Sequence, residues 1–249
     1  MIPMLLGFVV MGPLSGWLSD RMGARLLSTV GMTISTASFL ALTLLPYDFQ
    51  FAVFAAMIFA IGVGGGMFAA PNTASLMNSV PPEHRGAASG MNATLQNTGQ
   101  TVSIALFFTI IIAALTSSLP PSLSEVITQS GAPQLAPYFS KIPATVALFA
   151  AFLGYNPMQT ILGALPAVIV NTIPSSVKEY LTGMSFFPSA IAPSFMSALD
   201  DSFYIGAGLS IVGAVASALR GKVYIHDVAV KQQLEVKAPE RDTIKERAE

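Results

Sequence analysis

The sequence predicts an all-α integral membrane protein, and three observations carry that prediction. Only 10% of the 249 residues are charged while 53% are hydrophobic; a soluble domain carries about a quarter charged residues. Mean hydropathy is +0.64. The charges are also segregated. No Asp, Glu, Lys, Arg or His occurs from Leu26 to Tyr47, from Phe49 to Pro82, from Gly86 to Ser124, or from Ser202 to Leu219. Each run reaches the length, about 17–25 helical residues, that crosses a hydrocarbon core roughly 30 Å thick.

The first span, at 1–18, reads "MIPMLLGFVVMGPLSGWL". It lacks the positive n-region of a signal peptide and reads as a span already under way. Met1 is therefore expected to be an internal methionine of a longer chain. Further spans are placed at 26–46, 51–79, 86–115 and 202–220. The turns between them alternate in charge: 19–25 holds Asp20, Arg21 and Arg25, 80–85 holds Glu83, His84 and Arg85, and Arg220 and Lys222 follow the last span, whereas "PYDFQ" has no basic residue. Lys and Arg in short loops mark the cytoplasmic side. This predicts a multi-pass protein of the cell membrane with a cytoplasmic C-terminus and a solvated tail at 221–249.

Residues 116–201 interrupt the pattern. They hold "SSLPPSLSE", an amphipathic stretch near 123–140, and a charge-free run from Ile142 to Val177. A single crossing by that run would put Arg220 and Lys222 outside, against the charge rule. A pair of crossings, with 181–199 and Lys178 in the turn, would restore it. However, Pro157, Pro166, Pro174, Pro188 and Pro193 interrupt both candidates, and proline breaks or kinks a helix. The reading taken is a transmembrane bundle at 1–115, an extracytoplasmic helical cap at 116–201, and a last span at 202–220.

The turn "GWLSDRMGAR" at 16–25 has a physical reading of its own. Gly16 admits a neighbouring helix, and Gly23 permits a tight reversal. Asp20 is expected to cap the helix that follows, with Arg21 and Arg25 as its partners. Basic residues in a cytoplasmic turn are also ordinary topology determinants.

This spacing resembles the G-x-L-a-D-r-x-G-r-r signature of the major facilitator superfamily. The resemblance implies a loop that latches one conformation of an alternating-access carrier, with roles for Gly16, Asp20, Arg21, Gly23 and Arg25. Ala24 stands where the family often has another Arg. A second stretch, "VPPEHRGAASG" at 80–90, resembles the C-terminal half of fourteen-span drug:proton antiporters through Pro81, Arg85, Gly86 and Gly90. The second resemblance extends over 62–106, so the two segments run from residue 16 to residue 106. By resemblance the chain is the C-terminal portion of a proton-coupled multidrug or small-molecule efflux carrier, with the lipid bilayer, a small amphiphilic substrate and a proton gradient as partners.

Read for itself, the span 86–115 carries Ser89, Asn92, Gln96, Gln100 and Ser103 at three- and four-residue spacing, which places them on one helical face. Amides in hydrocarbon must find partners or water. Two readings stand: contacts to neighbouring helices, or the wall of a water-filled cavity with Asn92, Gln96 and Gln100 facing substrate. Asn72 on the preceding span is a further candidate. The cluster Gly62, Gly64, Gly65 and Gly66 suggests a close helix crossing. Met67, Phe68 and Met91 offer an adaptable apolar surface.

None of the predicted spans contains an ionisable residue in its core, although proton coupling normally uses an intramembrane carboxylate. By resemblance such groups sit in an N-terminal half, so this polypeptide is not expected to complete a transport cycle alone. No cofactor, metal or nucleic acid is expected: cysteine is absent and the net charge is −1. An intramembrane enzyme would need a nucleophile with a base inside the bilayer, but His84 and His226 both lie in predicted cytoplasmic segments. The alternative is a short native membrane protein acting as a half-carrier, dimerising subunit or scaffold.

Overall fold

The computed structural model describes residues 1–139 and 142–220. The expected tail at 221–249, with Lys222 and His226, lies outside the described residues. Among those described, the secondary structure is helical, with no strand. Five helices are long and apolar enough to cross a membrane: α1 (Ile2–Met22), α2 (Ala24–Leu42), α3 (Phe51–Asn78), α4 (Arg85–Gln129) and α10 (Phe186–Ala218). Between the last two lie α5 (Ala136–Phe139), α6 (Ala144–Leu153), α7 (Met158–Gly163), α8 (Ala167–Asn171) and α9 (Ser175–Thr182).

The chain divides into two compact units. The first holds α1, α2, α3, α4 up to Thr101 and α10 from Gly206. Here α1 and α2 each meet α3 backbone to backbone. A Cβ on Gly7 would collide with Phe59 O, one on Gly62 with the backbone of Met4, and one on Gly66 would stand 2.9 Å from Phe8 O. Met4 with Gly62, Phe8 with Gly66 and Gly16 with Ala70 rise together along both helices, so α1 and α3 run in the same direction. A Cβ on Gly31 would stand 2.6 Å from Gly64 O, and one on Gly64 would strike Ser35 and Gly31, which sets α2 antiparallel to α3. A Cβ on Gly206 would stand 3.4 Å from the Phe39 ring and one on Gly213 2.7 Å from Met32, so α10 is antiparallel to α2. In lipid the hydrophobic drive between helices is absent, and close packing of small residues takes its place.

One consequence concerns charge. These directions bring the 19–25 turn, the 80–85 turn and Arg220 to the same end of the first unit. Hydroxyls within the helices are largely satisfied by their own backbone: Thr29, Thr33, Thr36 and Ser38 each donate to the carbonyl four residues back, at 2.8–2.9 Å.

The second unit holds residues 43–49 and 102–205. The helices expected at 86–115 and 202–220 are both longer than predicted, and the difference falls here. α4 continues through Pro120 and Pro121 to Gln129. The cause is a stripe at every fourth residue, Ile111, Leu115, Leu119, Leu123 and Ile127, all at most 1% exposed. Burying each contributes about 1.5–3 kcal/mol, which together exceeds the roughly 3 kcal/mol that each interior proline costs. α10 begins at Phe186 because Phe186, Phe187, Ala190 and Ile191 join the same core.

The charge-free run from Ile142 to Val177 forms only short helices, the longest of ten residues. Pro143, Pro157, Pro166 and Pro174 each occupy the position just before a helix, where the missing N–H costs nothing. Asn156 ties this segment together. Its amide nitrogen donates to Leu181 O at 2.8 Å and Gly183 O at 2.7 Å, and its Oδ1 accepts from the Met158 amide at 2.9 Å.

Candidate functional site

The α1–α2 connection is one residue long. Gly23, at φ 86°, ψ 144°, makes the reversal, in a region that favours glycine. Asp20 does not cap α2 as expected. The chain stays helical through Met22, so Asp20 lies exposed in the last turn of α1. Among the described residues no ion pair joins Asp20 to Arg21 or Arg25. The Arg21 guanidinium instead sits over the Trp17 ring, 4.3 Å from its centroid, and Arg25 is exposed. Gly16 is not a point of close approach: a Cβ there would meet Ala70 Cβ at 3.9 Å, an ordinary contact.

At the same end, Pro81 opens a short 3-10 turn over Pro82–His84, and Arg85, half-buried, begins α4. Gly86 and Gly90 face open space. Further along, Asn92 is half-buried while Ser89, Gln96 and Gln100 are exposed. The opposite face is equally uncovered, with Met91 at 62% and Leu95 at 64% exposure. Asn72 does not join this group; its Oδ1 accepts a hydrogen bond from Arg220 Nη2.

Several residues escaped the sequence reading. Ser15, fully buried, donates to Gly66 O at 2.9 Å and Gly12 O at 3.0 Å. On α2 the buried positions Ala24, Ser28, Gly31, Ser35, Ser38 and Leu42 recur at four- and three-residue steps, a helical stripe visible in the sequence. Met67, taken as substrate-adaptable surface, is buried beside Gly31. Asp200 and Asp201 lie inside α10 as observed, so the expectation of spans free of ionisable groups does not extend over that whole helix.

Residues 1–120 match the family model described as Major Facilitator Superfamily. This segment belongs to the major facilitator superfamily. The matched stretch covers α1, α2, α3 and most of the apolar part of α4. Curated relatives agree with that placement. The riboflavin transporter RibZ of Clostridioides difficile is 28% identical over 123 residues, 46% of this chain and 27% of its own. The uncharacterized transporter YebQ of Escherichia coli is 36% identical over 104 residues, 42% of this chain and 23% of its own. The methyl viologen resistance protein SmvA of Salmonella typhimurium is 25% identical over 119 residues, 48% and 24% of the two chains. The chain thus spans about a quarter of the length of these curated relatives. No solved structure matches it. The short helices α5–α9 lie beyond the superfamily match.

Proposed function

We propose that these helices form part of a proton-coupled major facilitator carrier that exports small amphiphilic molecules by alternating access. The observation that carries the reading is the superfamily match over 1–120, which coincides with the glycine-packed bundle. Relatives named for riboflavin transport and methyl viologen resistance support a ring-bearing organic substrate. The amides of Asn92, Gln96 and Gln100 line the substrate path, because an uncovered polar face needs water or a partner inside a membrane. Uncharged amides suit neutral or cationic amphiphiles. The exposed Asp20, Arg21 and Arg25 serve as the latch that engages other helices in one conformation. The end bearing Arg21, Arg25, Arg85 and Arg220 faces the cytoplasm, and α5–α9 form an extracytoplasmic cap.

The reading is tested by efflux. Purified chain 1–249 in liposomes with an imposed pH gradient is expected to leave a fluorescent cationic dye unmoved. Cells producing a carrier that contains this chain are expected to extrude the dye, less so with Gln96→Leu and Gln100→Leu. Dye movement by the isolated chain would overturn the part-carrier reading. Full efflux by the double variant would overturn the assigned substrate path.

A further inference from the structure

Three buried side-chain polar atoms, on α2 and at the end of α10, have no hydrogen-bond partner among the described residues. They are Ser28 Oγ, Ser217 Oγ and Arg220 Nη1. The helix register places the two serines level with each other. Gly206 faces Phe39 and Gly213 faces Met32, seven residues apart on each antiparallel helix. One turn further, this register sets Ser217 of α10 beside Ser28 of α2. The Arg220 amide donates to Ser217 O at 3.2 Å, so the chain is still turning there. The Arg220 side chain reaches α3, where Nη2 donates to Asn72 Oδ1. Ser28 is fully buried and Ser217 is 3% exposed. Their lack of a partner is unusual in this bundle, because Thr29, Thr33, Thr36 and Ser38 all bond back to their own helix.

A buried guanidinium nitrogen needs an acceptor, and among the described residues the acids at this end, Asp20 and Glu83, are both exposed. Two hydroxyls and one guanidinium N–H can all donate hydrogen bonds. Such a set fits a phosphate-type oxyanion, for which the planar Arg fork is well matched. The site lies where three helices end at the basic side of a membrane bundle, the depth at which lipid phosphates lie.

We propose that Ser28, Asn72, Ser217 and Arg220 form an anion site, filled by the headgroup phosphate of an anionic membrane lipid. Asn72 orients the guanidinium, Arg220 supplies the charge, and the two serines donate to the remaining oxygens. The proposal rests on the membrane bundle and stands whether or not the carrier reading holds.

The test uses the purified full chain, delipidated in a neutral detergent, with thermal unfolding followed during titration of phosphatidylglycerol, phosphatidylcholine or inorganic phosphate. Phosphatidylglycerol is expected to raise the midpoint more than phosphatidylcholine, and Arg220→Gln to weaken that response about tenfold. Inorganic phosphate reproducing the full shift would support the site and assign it to a free anion. Equal shifts with both lipids, unchanged in Arg220→Gln, would overturn it. Should Arg220→Gln fail to fold, Arg220→Lys and Ser28→Ala/Ser217→Ala carry the test. A wild-type response in both would overturn the site equally.

Discussion

Ser15 on α1 donates its hydroxyl hydrogen to the carbonyl of Gly66 on α3 at 2.9 Å, and both residues are buried. The bond exists because Gly66 has no side chain to hold the helices apart. Ser15→Ala removes it without changing the packing. Such interhelical bonds average about 0.6 kcal/mol in membranes, so the expected loss in stability is small. Size-exclusion chromatography after heating measures it. A loss of several kcal/mol would mean that Ser15 does more than join two helices.

The glycine contacts predict a sharper contrast. Gly64→Ala places a methyl group against the backbone of Gly31 and the hydroxyl of Ser35, and overpacking of this kind costs about 1–3 kcal/mol. Gly99→Ala, on α4, meets nothing within 4 Å and gains helix propensity of about 1 kcal/mol. The two variants should move the unfolding midpoint in opposite directions. A shift of the same sign would refute the close crossing.

Trp17 is the single tryptophan of the chain, so its fluorescence reports on Arg21 directly. A guanidinium over an exposed indole is worth about 0.5–1 kcal/mol. Arg21→Ala should raise the accessibility of Trp17 to acrylamide while leaving the midpoint nearly unchanged. Unaltered quenching would show that the stacked arrangement is not populated.

Asn156 makes three hydrogen bonds that join the start of α7 to the end of α9. At about 1 kcal/mol each net, Asn156→Ala should cost roughly 2–3 kcal/mol, confined to the second unit. Hydrogen exchange should quicken over 156–183 and stay unchanged over α1 and α3. Uniform acceleration would mean that the two units unfold together.

Gln96 and Gln100 are exposed, so replacing either with Leu should alter stability by no more than about 0.5 kcal/mol. The same changes are expected to reduce efflux several-fold in the complete carrier. Equal effects on stability and efflux would mark both residues as packing groups.

Much of this was legible from charge spacing. The spans at 1–18, 26–46 and 51–79 are close to α1, α2 and α3, because lipid admits few alternatives to an apolar helix. The reversal at Gly23 and the crossing at the Gly62–Gly66 cluster followed from glycine chemistry. The helix through Pro120 and Pro121 did not, since proline is a local signal and the buried stripe from Ile111 to Ile127 depends on what packs against it. The site at Ser28, Ser217 and Arg220 was hidden for a related reason: Ser28 and Ser217 lie 189 positions apart, and only the pairing of α2 with α10 makes them neighbours. Asp20 was misplaced by a few residues, enough to move it from the start of one helix to the end of another.

The backbone contacts of α3 also restrict how the bundle can assemble. Sliding α3 by one turn would put Phe68 where Gly64 now meets Gly31 and Ser35 or, in the other direction, Ile58 where Gly62 now meets Met4, and neither side chain can enter that space. The three helices therefore have one alignment available to them after insertion. Misalignment is excluded by shape, as a key is by its wards, in a solvent that gives apolar surfaces no reason to prefer one another.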